Sequence, residues 1–374
     1  MKSILYLDTA ATSPIYSAVV AEMNNIIKNN YGNPSSIHFQ GERARKLLEE
    51  SRKKIALSIN ANPEEIYFVS GGTEANNLAL QGLAIANPEK KKIIVSAIEH
   101  ASVLEVCNSL KNWGYQIVKI PVDKSGIIDF NDLEREINGN TLLVSIMHVN
   151  NEIGVIQDIE KIGAICKTHK VFFHTDAVQS FGKEKIDVKR MQLSLISASA
   201  HKIGGPQGIG FLYVNQNVKI SPIIHGGGQE RGIRSVTENV SAITGFVKAL
   251  EITENTSKGR IKKLRDKLIQ ELKQIGGKIN GSLEKRIYNN INVSFSGIDG
   301  ETAVIFLSER GIYVSTGSAC SSRASKESHV LKALGLKEEE IKGSIRLTFG
   351  NSIKEKDANF IIKEIDKVVK RLRG

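Results

Sequence analysis

From about residue 60 to residue 200 the chain alternates two textures, and this alternation limits its fold more than any other feature. Short runs rich in Ile, Val and Leu occur at 66–70, 93–97, 142–147, 171–175 and 193–198. Segments with helical apolar spacing precede, separate or follow them, near 41–59, 75–86, 102–113 and 158–169. The runs have the length of buried strands and the periodic segments have the length of crossover helices. Together they predict an α/β fold around a mainly parallel sheet. Such sheets bind ligands at the carboxyl ends of their strands, so motifs that directly follow a run carry most weight.

Beyond about residue 250 the texture changes. Ile261, Leu264, Leu268 and Leu272 lie at helical spacing, strands are expected at 291–296 and 344–349, and Ile361, Ile365, Val368 and Leu372 share one face of a terminal helix. This predicts a second, smaller α+β domain. Hydrophobic residues make up 41% of the 374 and charged residues 24%, ample for a packed core. No stretch approaches the roughly 20 apolar residues of a membrane span. The amino-terminal MKSILYLDTAATSP does not read as a secretory signal, so a cytoplasmic location and no membrane partner are expected. Of the net charge of +11, +8 falls in residues 251–374, which hold 24 Lys+Arg against 16 Asp+Glu. That excess is as compatible with solvated helix surfaces as with an acidic partner, and no direct nucleic-acid binding is expected from it.

Four segments carry candidate chemistry. SGGTEANN at 70–77 places glycines and Thr73 at the start of a helix, where free N–H groups suit a phosphate and where a plain helix cap would look the same. HTDAVQS at 174–180 puts Asp176 at the end of a strand. SASAHKIGGPQGIG at 197–210 puts Lys202 between an apolar run and a glycine-rich turn. A lysine for a Schiff base and an acid beside a pyridine nitrogen are what a pyridoxal-phosphate (PLP) enzyme requires. STGSACSSRAS at 315–325 surrounds Cys320 with small residues and places Arg323 nearby, the composition of an exposed loop with a thiolate-favouring cation. Cys107 and Cys166 sit instead in helical patterns among apolar residues and are expected in the core. There is no C-x-x-C pair, and no metal site is expected.

These segments, with YLDTAATSP at 6–14, YGNPSS at 31–36, EHASV at 99–103, SIMHVNNEIGVIQDI at 145–159, GGGQERGIRSVTENV at 226–240 and SIRLTFG at 344–350, make the chain resemble the cysteine desulfurases. These are the NifS/IscS-like members of the class V aminotransferases, and the resemblance runs nearly end to end. It implies a PLP-dependent transferase of fold type I, with a large domain at 14–255 built on a mainly parallel seven-stranded sheet. A small domain at 1–13 and 256–374 would carry the Cys320 loop. It implies that Lys202 holds PLP, that His100 stacks on its ring, that Asp176 pairs with the pyridine nitrogen, and that Gln179 and Asn151 lie by the ring oxygen. Gly72, Thr73, Ser199 and His201 would hold the phosphate, Thr237 would reach the phosphate of a partner subunit in a homodimer, and Asn33 and Arg346 would grip the carboxylate of L-cysteine. Cys320 would take the sulfur as a persulfide, leaving alanine. It would hand the sulfur to a protein acceptor such as an iron–sulfur scaffold or a tRNA-thiolating enzyme, and would be able to ligate an iron–sulfur cluster transiently. The GSAC signature resembles the longer-loop branch of the family. Two positions depart from the common pattern, Val236 and Ala200, where Gly is usual, and they put the backbone around Thr237 in question.

Overall fold

The computed structural model describes residues 4–316 and 327–374. Its main sheet has seven strands in the order Ile66–Val69, Gly210–Val214, Leu195–Ser199, Phe172–Asp176, Thr141–Ser145, Lys92–Ser96 and Gln116–Ile120. All neighbours pair parallel except Gly210–Val214, which is antiparallel to both strands beside it. The inner strands are buried on both faces, which is why they read as unbroken apolar runs. Successive residues serve opposite faces. Ile93, Val95 and Leu143 pack under helices Gly72–Ala86 and Ala101–Lys111, while Ile94, Val144 and Phe173 pack with Ile55, Ile162 and Phe246 of the helices on the other side. In the edge strand Gln116–Ile120 the exposed Gln116 and Lys119 interrupt the apolar residues, which hid it from a reading based on apolar runs.

A second core lies around an antiparallel sheet of Ser344–Thr348, Asn290–Ser294 and Lys278–Ile279. Helices Lys258–Gln274, Gly300–Glu309 and Ala358–Arg373 cover it through Leu264, Leu268, Ala303, Ile361 and Ile365. Leu5 and Leu7 join this core, and the short strand Leu5–Tyr6 pairs in parallel with Ile312–Tyr313. The amino-terminal residues thus belong spatially with the last third of the chain. Cys107 and Cys166 are buried, and burial pushes both thiols up to about 12. Among the described residues no helix is long and apolar enough to cross a membrane.

The segment after the main sheet is tied down by a buried ion pair. Arg52 Nη1 and Nη2 donate to the two carboxylate oxygens of Glu230 at 2.8 and 2.9 Å, and the Phe68 N–H donates to the same carboxylate at 2.8 Å. Glu230 and Arg231 both hold left-handed backbone conformations, with φ of 46° and 56°, so the pair fixes a strained turn against the strand Ile66–Val69. Removing one partner strands the other charge. Glu230→Ala is expected to lower stability by about 3–5 kcal/mol, read from the midpoint of denaturant unfolding. The double variant Arg52→Met, Glu230→Leu is expected to recover part of that loss, since the Phe68 N–H still lacks its acceptor.

Candidate active site

Four parallel strands end on one side of the sheet, and the chain after each carries the candidate groups. Ser96 leads to His100, Ser145 to Met147 and Asn151, Phe172–Asp176 ends on Asp176 itself, and Ser199 leads to Lys202. They surround a cavity of about 240 Å3. Gly72, Thr73, His100, Asn151, Asp176, Gln179, Ser199, His201, Lys202 and Arg346 all line it. Ten of the thirteen residues singled out from the sequence therefore meet in one place.

Asp176 is buried and doubly held. The Val178 N–H donates to Oδ1 at 2.9 Å and Asn76 Nδ2 to Oδ2 at 2.8 Å. Asn76 Nδ2 also donates to Ser102 Oγ at 2.8 Å, which lies 2.8 Å from His100 Nδ1. The Ser102 N–H donates to the same Nδ1 at 3.1 Å. Nδ1 is therefore the acceptor of the ring, and the network assigns the proton to Nε2. This chain from Asp176 through Asn76 and Ser102 to His100 fixes the tautomer of the imidazole. Asn76 and Ser102 lie inside motifs read from the sequence without being singled out. Their signal was polarity on helix positions that must face the sheet.

Lys202 Nζ donates to the carbonyls of Ala10 and Ala11, each at 2.7 Å, and Gln179 Nε2 donates to the Ala10 carbonyl at 2.9 Å. The segment at 8–12 thus borders the pocket. Burial, reinforced by the cations of Lys202 and Lys183, pushes His201 down to about 4, so its imidazole is neutral. Arg346 reaches in from the smaller sheet and is only 2% exposed. Its Nη2 pairs with Asp8 at 2.7 Å and its Nη1 donates to the Asn151 carbonyl at 3.0 Å, while Nε is buried without a partner among the described residues. A substrate carboxylate is the acceptor such a guanidinium suits.

Three residues lie elsewhere. Asn33 is exposed, and its Oδ1 accepts from the Ser35 N–H at 2.9 Å, outside the pocket. Thr237 is exposed beside a separate cavity of about 220 Å3 that Phe68, Glu230 and Arg234 also line. Cys320 lies outside the described residues. On either side of that gap the chain is fastened near the pocket: the Ser315 N–H donates to the Arg346 carbonyl, Ser328 Oγ to the Glu152 carboxylate, and His329 Nε2 to the Glu99 carbonyl. Val236 and Ala200 keep ordinary negative φ, so neither position demands glycine.

A buried lysine and a buried carboxylate facing one pocket, at the carboxyl ends of a mainly parallel sheet, define a PLP-dependent enzyme of fold type I. The class-V aminotransferase family model matches residues 5–360. The curated Cysteine desulfurase IscS of Dictyoglomus turgidum is 44% identical over 379 residues, covering 100% of this chain and 96% of that protein. A solved NifS-like protein superposes with a TM-score of 0.93 at 36% identity, covering 99% of this chain and 100% of that one. A structure described as SspA in complex with cysteine superposes with a TM-score of 0.85 at 37% identity, covering 92% and 99%. The chain belongs to the class-V aminotransferase family, among its cysteine desulfurases.

The pocket suits PLP on its own geometry. A Cβ on Gly72 would lie 2.6 Å from Val178 Cγ2, so the helix start presses against a pocket-lining residue where only glycine allows the approach. Thr73, Ser199 and His201 line the same pocket as the Asp176 carboxylate, giving hydroxyl and N–H donors for a phosphate and an acid for a pyridine nitrogen.

Behind His100, Glu99 is fully buried, with Oε1 accepting from Ser96 Oγ at 2.5 Å and the Met147 N–H at 2.8 Å. Burial, with the nearby Asp176 charge adding, raises its carboxyl from 4.5 to about 8 despite those two hydrogen bonds. Between these values the folded protein holds a proton that the unfolded chain releases. Glu99 therefore makes stability fall as pH rises, by up to about 1.4 kcal/mol per unit. Glu99→Gln keeps the acceptor oxygen and removes the titration. Urea unfolding at intervals from about pH 5 to about pH 8 is expected to give a flatter decline for the variant, and parallel curves would remove Glu99 from the account.

Proposed function

We propose that this chain converts L-cysteine to L-alanine and carries the released sulfur as a persulfide on Cys320 to a protein acceptor. The observation that carries the reading is the convergence of Lys202, Asp176, His100 and Arg346 on one cavity in a chain related end to end to curated cysteine desulfurases. The neighbour solved with cysteine supports the choice of substrate.

In this reading Lys202 would hold PLP, and its amine would be the base for the Cα proton of the substrate. PLP, when bound, supplies an electron sink for the pair left at Cα. Asp176, held by hydrogen bonds from Asn76 and Val178, would keep a proton on the pyridine nitrogen. His100 presents Nε2–H toward the pocket for proton transfer. Gln179 and Asn151 serve the ring oxygen, and Gly72, Thr73, Ser199 and His201 the phosphate. Arg346 orients the substrate carboxylate. The Cys320 thiolate attacks the substrate sulfur; the S–S bond forms, the Cβ–S bond breaks, and the three-carbon fragment takes up protons to leave as alanine.

A homodimer would bring Thr237 to a second subunit's phosphate and Asn33 to a substrate carboxylate. Both are exposed on this protomer, and beside Asn33 stand Tyr31, Ile37 and Phe39, the last two 92% and 68% exposed. Apolar side chains so grouped suit an interface between copies. The two cores support a division into a cofactor domain at 14–255 and a smaller domain at 1–13 and 256–374. Two buried free thiols suit the reducing cytoplasm. The acceptor is an iron–sulfur scaffold or a tRNA-thiolating enzyme, and the basic 251–374 region would favour an acidic one.

Mixing the protein with L-cysteine and a reductant is expected to give alanine and sulfide in equal amounts. Cys320→Ser is expected to keep the visible cofactor band and lose persulfide and turnover; undiminished turnover would refute its role. Lys202→Ala is expected to lose the band characteristic of the lysine linkage. Arg346→Lys is expected to raise KM at least about tenfold, roughly 1.4 kcal/mol, with a smaller change in kcat.

A further inference from the structure

Asn76 is fully buried on helix Gly72–Ala86 and lines the main cavity. Its amide nitrogen donates to Asp176 Oδ2 and to Ser102 Oγ, each at 2.8 Å, and so commits both of its hydrogens. The amide oxygen is buried without a partner among the described residues. Leaving such an acceptor bare costs free energy, so the contacts on the nitrogen decide which way the group faces. Turned over, the amide would set its oxygen against the Asp176 carboxylate. Ser102 holds the same orientation from the other side. Its hydroxyl has one hydrogen, and His100 Nδ1 lies 2.8 Å away and also accepts from the Ser102 N–H. With that hydrogen directed at Nδ1, Ser102 Oγ is left to accept, and Asn76 supplies the donor.

We propose that Asn76 is a positioning residue for the reaction: anchored on Ser102, it aims a donor at Asp176 and so keeps the proton that lies between Asp176 and the pyridine nitrogen of PLP on the nitrogen. That proton has two places to sit. On the nitrogen it leaves a carboxylate and a pyridinium; on Asp176 it leaves two neutral groups. Burial favours the neutral pair, because neither partner then carries a poorly solvated charge. Hydrogen bonds donated to the carboxylate favour the charged pair. Asp176 receives one from the Val178 N–H, which any residue at that position supplies, and one from Asn76, which depends on the amide side chain. The neighbouring carboxyl of Glu99 is engaged elsewhere, by Ser96 and the Met147 N–H. The electron sink is strongest with the ring nitrogen protonated, so Asn76 acts on the chemistry through Asp176.

The inference rests on Asp176 as the acid that faces the pyridine nitrogen. It is tested on the holoenzyme by nitrogen NMR with PLP isotope-labelled at the ring nitrogen, whose signal reports protonation independently of turnover. Asn76→Leu keeps the shape of the side chain and removes its donors. It is expected to move the signal toward the unprotonated position and to lower kcat about tenfold or more, the worth of one hydrogen bond to a charged group, with KM little changed. Ser102→Ala, which removes the anchor of the amide, is expected to move the signal the same way by a smaller amount. If Asn76→Leu does not accumulate as folded holoenzyme, Asn76→Ala removes the same donors at smaller volume and is expected to give the same shift. A neutral variant that is destabilised but keeps the wild-type signal overturns the proposal, since a merely structural asparagine would behave so. A signal that is already unprotonated in the wild type, or that Asp176→Asn leaves unmoved, would instead overturn the assignment of Asp176.

Discussion

A carboxylate buried at the end of a central strand governs the site. Asp176 cannot be left bare, because an unpaired buried charge is costly, and its two donors come from different elements. Val178 supplies one through the turn that follows the strand, and Asn76 supplies the other from helix Gly72–Ala86. To deliver Asn76, that helix must approach the turn closely, which Gly72 permits by leaving room for Val178. The same approach puts the helix start beside Ser199 and His201, where an anion would bind. One hydrogen-bonding requirement thus sets both ends of the cofactor pocket, and through Ser102 it also sets the tautomer of His100.

The amino-terminal segment closes the arrangement. Its Ala10 and Ala11 carbonyls accept from Lys202, and its Asp8 carboxylate holds Arg346. Leu5 and Leu7, just before it, are buried in the second core. The stretch from Leu5 to Thr12 therefore couples the small sheet to the lysine. A shift of the second core would move both the Arg346 guanidinium and the carbonyls that accept from Lys202 Nζ.

Four inner strands and the helices beside them were legible because burial on both faces leaves an apolar run, and burial on one leaves a 3.6-residue period; the inner strand Gly210–Val214 and the helix Val240–Glu254 were not read from the sequence. Nor was Gln116–Ile120, since the exposed Gln116 and Lys119 break its apolar run. Asp176 and Lys202 were legible as a carboxylate and a lysine placed directly after runs, and the role of His100 came from the family resemblance. Asn76 and Ser102 carried only the weak signal of polarity on sheet-facing helix positions, and Asp8 carried none. Asp8 acts through Arg346, 338 residues away in the sequence, so no local pattern marks it.

The three cysteines show how environment, rather than residue type, assigns chemistry. A thiol acts as a nucleophile only as thiolate. Cys107 packs beside Val103 and Leu110 under the main sheet, and Cys166 beside Ile162 on its other face; burial holds both thiols at about 12. Neither forms a thiolate near neutral pH, and neither borders the pocket. If the chain carries sulfur on a thiol of its own, the requirement for a thiolate directs that role to Cys320. Arg323 lies three residues away in the sequence, and the fastened flanks at Ser315 and Ser328 place both ends of its segment beside Arg346 and Glu152. The fold thereby keeps Cys107 and Cys166 chemically silent.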